Sequence, residues 1–261
     1  KMSEEKKVAK TKEQGIVTFD ESLFEQDQGA GLENMSQDDL ALPFLKVLSR
    51  QDPTLDTIDA KAGDIYNTVT GEWYKGGEGI KVVPCAYQRR FLEWMPRGSG
   101  SGAPKNIYTP ADERPKVERS SEDNRDYVVG GEGSYLEETH QHFVLMIDPE
   151  TGVACPALIA MKSTQLKKSR KFNSMVASRV MKGKNGQFTP PRFSHTYTFK
   201  TASEENSKGS WHGWEVSLDG IISEAGLYQQ AKVFSESIMK GEVEVKHSVE
   251  GADSSSNDVP F

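Results

Sequence analysis

Cysteine is scarce in this sequence of 261 residues, which contains only Cys85 and Cys155. The two lack the Cys-x-x-Cys spacing of zinc and redox sites and lie in apolar, strand-like runs, which excludes a disulfide-rich scaffold and favours a reducing compartment. We expect both to be buried as small hydrophobic side chains. No apolar run approaches the roughly 18 residues that a membrane span needs, so we expect a soluble, cytoplasmic protein without a membrane partner.

Motifs of the common enzyme classes are also missing. The sequence has no GxSxG, no P-loop, no GxGxxG opening a helix and no HExxH. His140 and His142 lie two apart on a predicted strand, so they share a face, and a metal could bind there if a carboxylate or Cys155 lay close. Two polar residues on a half-exposed strand explain the same pattern. Because Glu137 and Glu138 face opposite ways, the converging carboxylates of a nuclease are not indicated, and we expect no enzyme activity, cofactor or metal.

Acidic residues are absent from one long stretch of the chain. There are 32 Lys and Arg against 39 Asp and Glu, a net charge of −7, yet no acidic residue lies between Glu150 and Glu204. Ten basic residues lie between these two glutamates. The remaining 22 basic residues and all 39 acidic residues belong to the rest of the sequence. This separation of charge predicts a cationic surface on an acidic protein. The ten are Lys162, Lys167, Lys168, Arg170, Lys171, Arg179, Lys182, Lys184, Arg192 and Lys200.

Composition divides the chain into three parts. Residues 1–35 are polar and acidic and predict a flexible N-terminal arm, whereas residues 241–261 predict a disordered acidic tail. Residues 36–240 between them are expected to form one domain. Within it, residues from about 97 to 132 are rich in Gly, Ser, Pro and charge, which predicts a long loop.

The first half of the domain contains one predicted helix and a run of strands. Ser36 precedes acidic residues, as a helix start prefers, so residues 36–49 predict a short helix that Pro43 disturbs. Residues 64–74 predict a hairpin, and residues 79–94 a long strand. Pro84 within that strand requires an edge position or a bulge.

The second half alternates strands with helices. A hairpin is predicted from residues 134–148 and 153–161, then an amphipathic helix over 163–181, strands at 192–200 and 210–218, and a closing helix over about 221–239. The apolar stripe of the first helix is expected to contain Leu166, Met175, Val176 and Val180. This order predicts a β-rich α+β fold, an OB-fold-like antiparallel Greek-key barrel with an inserted helix and a C-terminal helix. A β-sandwich with helical insertions fits nearly as well.

Cationic and aromatic residues are interleaved between residues 73 and 94. Single-stranded DNA binding needs both kinds, because phosphates follow a positive groove and unpaired bases stack on aromatic rings. On a strand, Tyr87, Arg89 and Phe91 share one face, and Arg90 lies on the other. Alternatively, Tyr87 and Phe91 belong to the core and Arg89 borders it. The candidate DNA-binding residues here are Trp73, Tyr74, Lys81, Tyr87, Arg89, Arg90, Phe91 and Trp94.

The helix predicted over residues 163–181 supplies a second set of candidates. A basic run on a helix is often only a solvated face, but such a face normally mixes signs for i,i+4 pairing. The missing acids therefore favour a binding role. The candidates on or near the helix are Lys162, Lys167, Lys168, Arg170, Lys171, Phe172 and Arg179.

The chain ends in ADSSSNDVPF, a polar stretch followed by three apolar residues. The polar residues cannot bury enough surface to become ordered, so the terminal Val-Pro-Phe needs an explanation other than folding. Such a tail could occupy a cationic face as a DNA mimic, or place a terminal Phe and its carboxylate in a basic-rimmed pocket. The candidate partner-binding residues are Asp253, Asp258, Val259, Pro260 and Phe261.

The terminal Asp-Val-Pro-Phe resembles the acidic Asp-Ile-Pro-Phe tip of bacterial single-stranded DNA-binding proteins and the Phe-ended tails of their phage counterparts. The stretches LALPFLKVLS, AGDIYNTVTGEWY, VVPCAYQRRFLEW and KGSWHGWEVS also look like a bacteriophage single-stranded DNA-binding protein. The resemblance implies an OB-fold, a role in DNA replication, recombination and repair, and a tail that recruits polymerase, helicase-primase or nuclease partners in the host cytoplasm. Serines and Asn257 stand where acids cluster in that pattern, so weak competition between tail and DNA is expected.

We therefore expect a non-catalytic, sequence-tolerant protein that protects single-stranded DNA and recruits replication proteins. Three alternatives remain: a recombination mediator that anneals strands, a metal-dependent nuclease built on His140 and His142, and a virion or scaffold protein. Homo-oligomerisation stays open.

Overall fold

The computed structural model describes residues 22–35, 40–96, 98–99, 101–207, 209–243 and 245–247. The chain divides into a short unit, residues 1–36, and a long one, residues 37–261. In the described part of the short unit, α1 spans Ser22–Gln26. The other features described below belong to the long unit. The boundaries expected for the arm, the domain and the tail stay predictions.

The described part of the long unit is rich in strands. Its strands are β1 (Leu45–Val47), β2 (Ile65–Asn67), β3 (Trp73–Tyr74), β4 (Ile80–Trp94), β5 (Asn106–Tyr108), β6 (Val117–Arg119), β7 (Asp126–Val128), β8 (Tyr135–Ile147), β9 (Ala154–Lys162), β10 (Met181–Gly183), β11 (Gly186–Phe188), β12 (His195–Asn206) and β13 (Gly209–Ile221). Its helices are α2 (Leu166–Ala177), between β9 and β10, and α3 (Ala225–Lys240), after β13.

Eight strands form one antiparallel sheet in the order β13-β12-β4-β8-β7-β6, with β5 beside β4 and β9 beside β8. A second sheet contains β1, β2 and β3, and the hairpin β10-β11 is a third. A single parallel bridge joins Phe44, just before β1, to Leu158 on β9. The β-rich α+β class is confirmed, as are the inserted and C-terminal helices. The hydrogen-bonded strands do not close into a barrel within the described ranges.

The long strand β4 contains a bulge where proline interrupts it. Pro84 pairs with Val144 and Ala86 with Phe143, so Cys85 is the extra residue. Since β4 lies between β12 and β8 rather than at an edge, the bulge that the sequence predicted is confirmed. The inserted residue reverses the alternation beyond it, and this places Tyr87 on the same side of the sheet as His142.

Each face of the large sheet is covered by one helix. On the first, here called the α2 face, Phe172 and Val176 pack into a core that also holds Trp214. On the other, the α3 face, Phe234 and Ile238 pack against Val83 and neighbouring residues. These apolar contacts hold both helices to the sheet, since burial of apolar side chains is the main favourable contribution to folding.

The structure corrects four sequence predictions. The region predicted to be a helix at residues 36–49 contains β1, and residues 36–39 lie outside the described ones. The loop expected over residues 97–132 contains β5, β6 and β7. The helix predicted over residues 163–181 is shorter and ends at Ala177; Phe172 joins the predicted Val176 in the core, whereas Val180 is exposed. Cys155 is exposed, unlike Cys85, because it lies near the start of β9.

Candidate nucleic-acid interface

Several candidate aromatic side chains are buried rather than available to a ligand. Phe172 is 0% exposed, Trp94 3% and Phe91 8%. Arg89 and Arg114 lie against the Phe91 ring, with guanidinium carbons 5.0 and 4.1 Å from its centroid. The expectation that these three rings stack on bases is therefore corrected, because the core or arginine covers them. The half-buried candidates are Trp73, Tyr74 and Tyr87.

Three of the candidate cationic side chains have protein partners away from α2. Lys162 is buried and forms an ion pair with Glu137 at 3.2 Å, so its predicted contact with DNA is corrected. Lys81 is exposed and lies 3.1 Å from Asp219. Arg90 lies on the α3 face, as the alternation predicted, and donates to the side chain of Gln88. These groups are not part of the cationic surface around α2.

Arg89 on β4 and Arg170 on α2 meet at one carboxylate. Both contact Oε1 of Glu138, at 2.9 and 3.5 Å, and Nε2 of His140 lies 2.9 Å from the same oxygen. Burial raises the pKa of Glu138, but the hydrogen bond from His140 and the nearby Arg89 outweigh burial and bring it below its usual value. Two guanidinium groups on one carboxylate leave one positive charge in excess, close to the half-exposed Tyr87.

The outer side of α2 is cationic. Lys167 and Lys171 are exposed and have no acidic partner among the residues described. Lys168 pairs with Glu204 on β12. Arg179, just beyond the helix, donates from Nε to the carbonyl of Met175 at 3.1 Å. Because α2 has no acidic residue, its lysines have no opposite charge one turn away.

A chain of hydrogen bonds lies beneath α2. Ser169 Oγ is 2.7 Å from Nδ1 of His140 and 2.7 Å from Nε2 of His142. Nη2 of Arg192 lies 3.2 Å from Nδ1 of His142 and donates to Oδ1 of Asn173 at 3.0 Å. The serine and both histidines are fully or almost fully buried. Strand β8 is thereby joined to α2 and to the segment before β12.

One set of proton positions gives every hydrogen bond in this series a donor and an acceptor. Arginine only donates, so Nδ1 of His142 accepts and its Nε2 carries the proton. That N–H donates to Ser169, whose hydroxyl donates to Nδ1 of His140. The remaining N–H of His140 donates to the carboxylate of Glu138. Both rings are therefore neutral. Burial is the largest cause that lowers the pKa of each, and it also lowers the pKa of Arg192 to about 10.

The two histidines share a face, as predicted, but their ring nitrogens have protein partners. Across the described ranges, no group of three or more His, Cys, Asp and Glu side chains could hold a metal ion. The metal hypothesis required a carboxylate or Cys155 nearby. The carboxylate of Glu138 does lie 2.9 Å from Nε2 of His140, but it is paired with two arginines, and Cys155 pairs with Met146 rather than with the histidine positions. The nuclease alternative therefore has no metal site in this part of the chain.

Sequence reasoning missed Ser169 and Arg192 as partners of the histidines. The available signal was the helical spacing of Gln165, Ser169, Phe172 and Val176, all of which are buried on one side of the helical segment. A polar residue inside such a buried stripe needs a hydrogen-bond partner, and the paired histidines could supply one.

The structure is a β-rich α+β protein with a cationic helix packed on one sheet face. The chain matches the family described as Pam3 phage gp34-like protein over residues 11–244, most of its length, and it belongs to that family. Neither a curated protein nor a solved structure matches it. In the described ranges, no helix has the length and apolar character needed to cross a membrane.

Proposed function

We propose that this protein binds single-stranded DNA through the α2 face without strong sequence preference. The observation that supports this most is the exposure of Lys167, Arg170 and Lys171 on a helix without acidic residues. Positions separated by three and four residues lie on one helix face, so the three charges form one patch. Arg89 on β4 extends the patch through Glu138.

The composition of α2 differs from that of an ordinary solvated helix. On the opposite side of the sheet, α3 exposes Lys232 and Lys240 together with Glu236, which is the mixed pattern expected of such a helix. The like charges within the α2 patch repel one another, and a bound anion would relieve that repulsion. Phosphates along a strand would supply that anion and release their counterions.

Within the β-rich α+β class, we propose that the fold is OB-like. The bridge between Phe44 and Leu158 joins the segment before β1 to β9 of the large sheet. The bulge at Cys85 also bends the central strand, as strands of small barrels require. We propose an OB-like sheet that remains partly open.

The C-terminal tail is proposed to recruit replication proteins, as the resemblance implies. The residues concerned, Asp253 and 258–261, lie outside the described residues and beyond the family match. Protection of single strands during phage replication, recombination and repair is part of the same proposal. Strand annealing is the second possibility, and it predicts faster duplex formation from complementary strands.

The proposal is tested with a labelled oligo-dT of about 30 nucleotides and a pair of double variants. Replacing Lys167 and Lys171 by Ala should reduce the slope of log K against log salt by about 1.4, at about 0.7 per phosphate contact. The control replaces Lys232 and Lys240 on α3 by Ala and changes net charge equally. An equal effect of both variants would mean that α2 is not the binding surface.

A further inference from the structure

The hairpin formed by β10 and β11 combines exposed positive charge with an exposed aromatic ring. Three residues separate it from the end of α2, and it forms its own two-stranded sheet, closed by a turn at Lys184 and Asn185. All residues from 182 to 189 are exposed. An isolated two-stranded hairpin is only marginally stable in water. Because residues 182–189 are exposed, burial of their side chains contributes little to the stability of this hairpin.

The aromatic residue of the hairpin is Phe188, which is 46% exposed. Its ring lies over Gly183 on the neighbouring strand: a Cβ placed on that glycine would be 3.2 Å from Cε1 of the ring. One side of the ring therefore contacts the backbone, and solvent reaches the remainder. This geometry suits a stacking platform, since the hairpin supports the ring and leaves surface for a ligand.

Three cationic residues lie on or directly before the hairpin. Lys182 and Lys184 are exposed, and Arg179 is half-buried. No ion pair joins any of the three to an acidic group in the described residues, and the nearest acidic positions in sequence are Glu150 and Glu204. The hairpin thus follows the cationic helix α2 in the sequence with no acidic residue between them, and it adds an exposed aromatic ring to the positive charge of this part of the chain.

We propose that the β10-β11 hairpin is a second contact element for single-stranded DNA, in which Phe188 stacks on an unpaired base and Lys182 and Lys184 contact phosphates. This inference rests on the proposed function and deepens it. An unpaired base has a free ring face, whereas the bases of a duplex are stacked on each other, so the hairpin favours single strands. The three buried candidate rings cannot fulfil this role.

The test compares two single variants of the full chain in binding to the labelled oligo-dT. Phe188→Ala should weaken binding about five- to a hundredfold, the range measured for loss of one stacked base. Phe188→Trp should retain the affinity. The matched control is Tyr228→Ala, which removes an exposed ring on α3 that lies tilted against Phe193 with the ring centroids 5.3 Å apart, and it should leave binding unchanged.

A separate measurement addresses the lysines. Replacing Lys182 and Lys184 by Ala should reduce the salt slope by about 1.4. If wild-type protein binds but Phe188→Ala and Tyr228→Ala bind equally well, the hairpin proposal is overturned and the proposed function stands. If the wild-type protein does not bind at low salt, both proposals are overturned. Circular dichroism of each variant establishes that a loss of binding is not a loss of folding.

Discussion

Arg192 donates a hydrogen bond to Nδ1 of His142 across 3.2 Å, and this contact fixes which nitrogen of the ring carries the proton. Through Ser169, the same choice fixes the protonation of His140. This series of hydrogen bonds ends at Glu138, whose carboxylate also forms ion pairs with Arg89 and Arg170. The buried hydrogen bonds beneath α2 therefore position two cations of the proposed DNA surface.

Acidification should destabilise the protein as the pH falls from about 6.5 to about 4. Burial lowers the pKa of His140 and His142 below the ordinary 6.5, and burial with nearby Arg90 and Lys162 lowers that of His247 to about 4. The unfolded chain then binds more protons, so this stability is complete above about pH 6.5 and is lost as pH falls. Urea unfolding at several pH values measures it. Constant stability across this window would contradict the neutral-histidine assignment.

Replacing Ser169 by Ala should destabilise the protein far more than an exposed serine replacement on the same helix. The change leaves Nε2 of His142 and Nδ1 of His140 buried without their partner, at a cost of about 1–3 kcal/mol each. The control is Ser174→Ala, where an exposed hydroxyl donates only to the carbonyl of Arg170. Urea unfolding compares the two, and equal losses would show that the buried hydroxyl has no special role.

Glu138→Gln should separate stability from DNA affinity. It removes the charge that binds Arg89 and Arg170 and weakens the acceptor of His140, so unfolding should become easier. The freed guanidinium groups should bind oligo-dT more tightly, because they no longer have an anionic partner. Unfolding and anisotropy measured on the same sample test this. Unchanged DNA binding by a folded variant would place Arg89 and Arg170 outside the interface.

Deleting residues 253–261 should leave the affinity for oligo-dT unchanged or raise it. The deletion removes Asp253 and Asp258, whose carboxylates are anions that could compete with DNA for the cationic surface. Anisotropy with the full chain as reference measures the effect. A loss of DNA binding on truncation would contradict the partner-docking role proposed for the tail.

Features that depend on a few neighbouring residues could be predicted from the sequence. Pro84 required a bulge or an edge, and the structure has the bulge. The alternation of residues 134–148 and the turn before 153 predicted the hairpin of β8 and β9. In the same way, the spacing of His140 and His142 placed them on one face.

What covers each face could not be predicted from alternation. Tyr87 lies on the α2 face, opposite His142, because one inserted residue at Cys85 reverses the alternation of β4. Phe172 is core and Val180 is exposed because the helix ends at Ala177, before the predicted end. A helix boundary of this kind depends on tertiary packing more than on propensity.

The most direct measurement of the central claim is anisotropy of labelled oligo-dT with the wild-type chain, from low to moderate salt, with matched duplex as competitor. The account predicts binding that weakens linearly in log salt and that duplex does not displace. Absence of binding at low salt, or equal displacement by duplex, would contradict a single-stranded DNA interface on the α2 face.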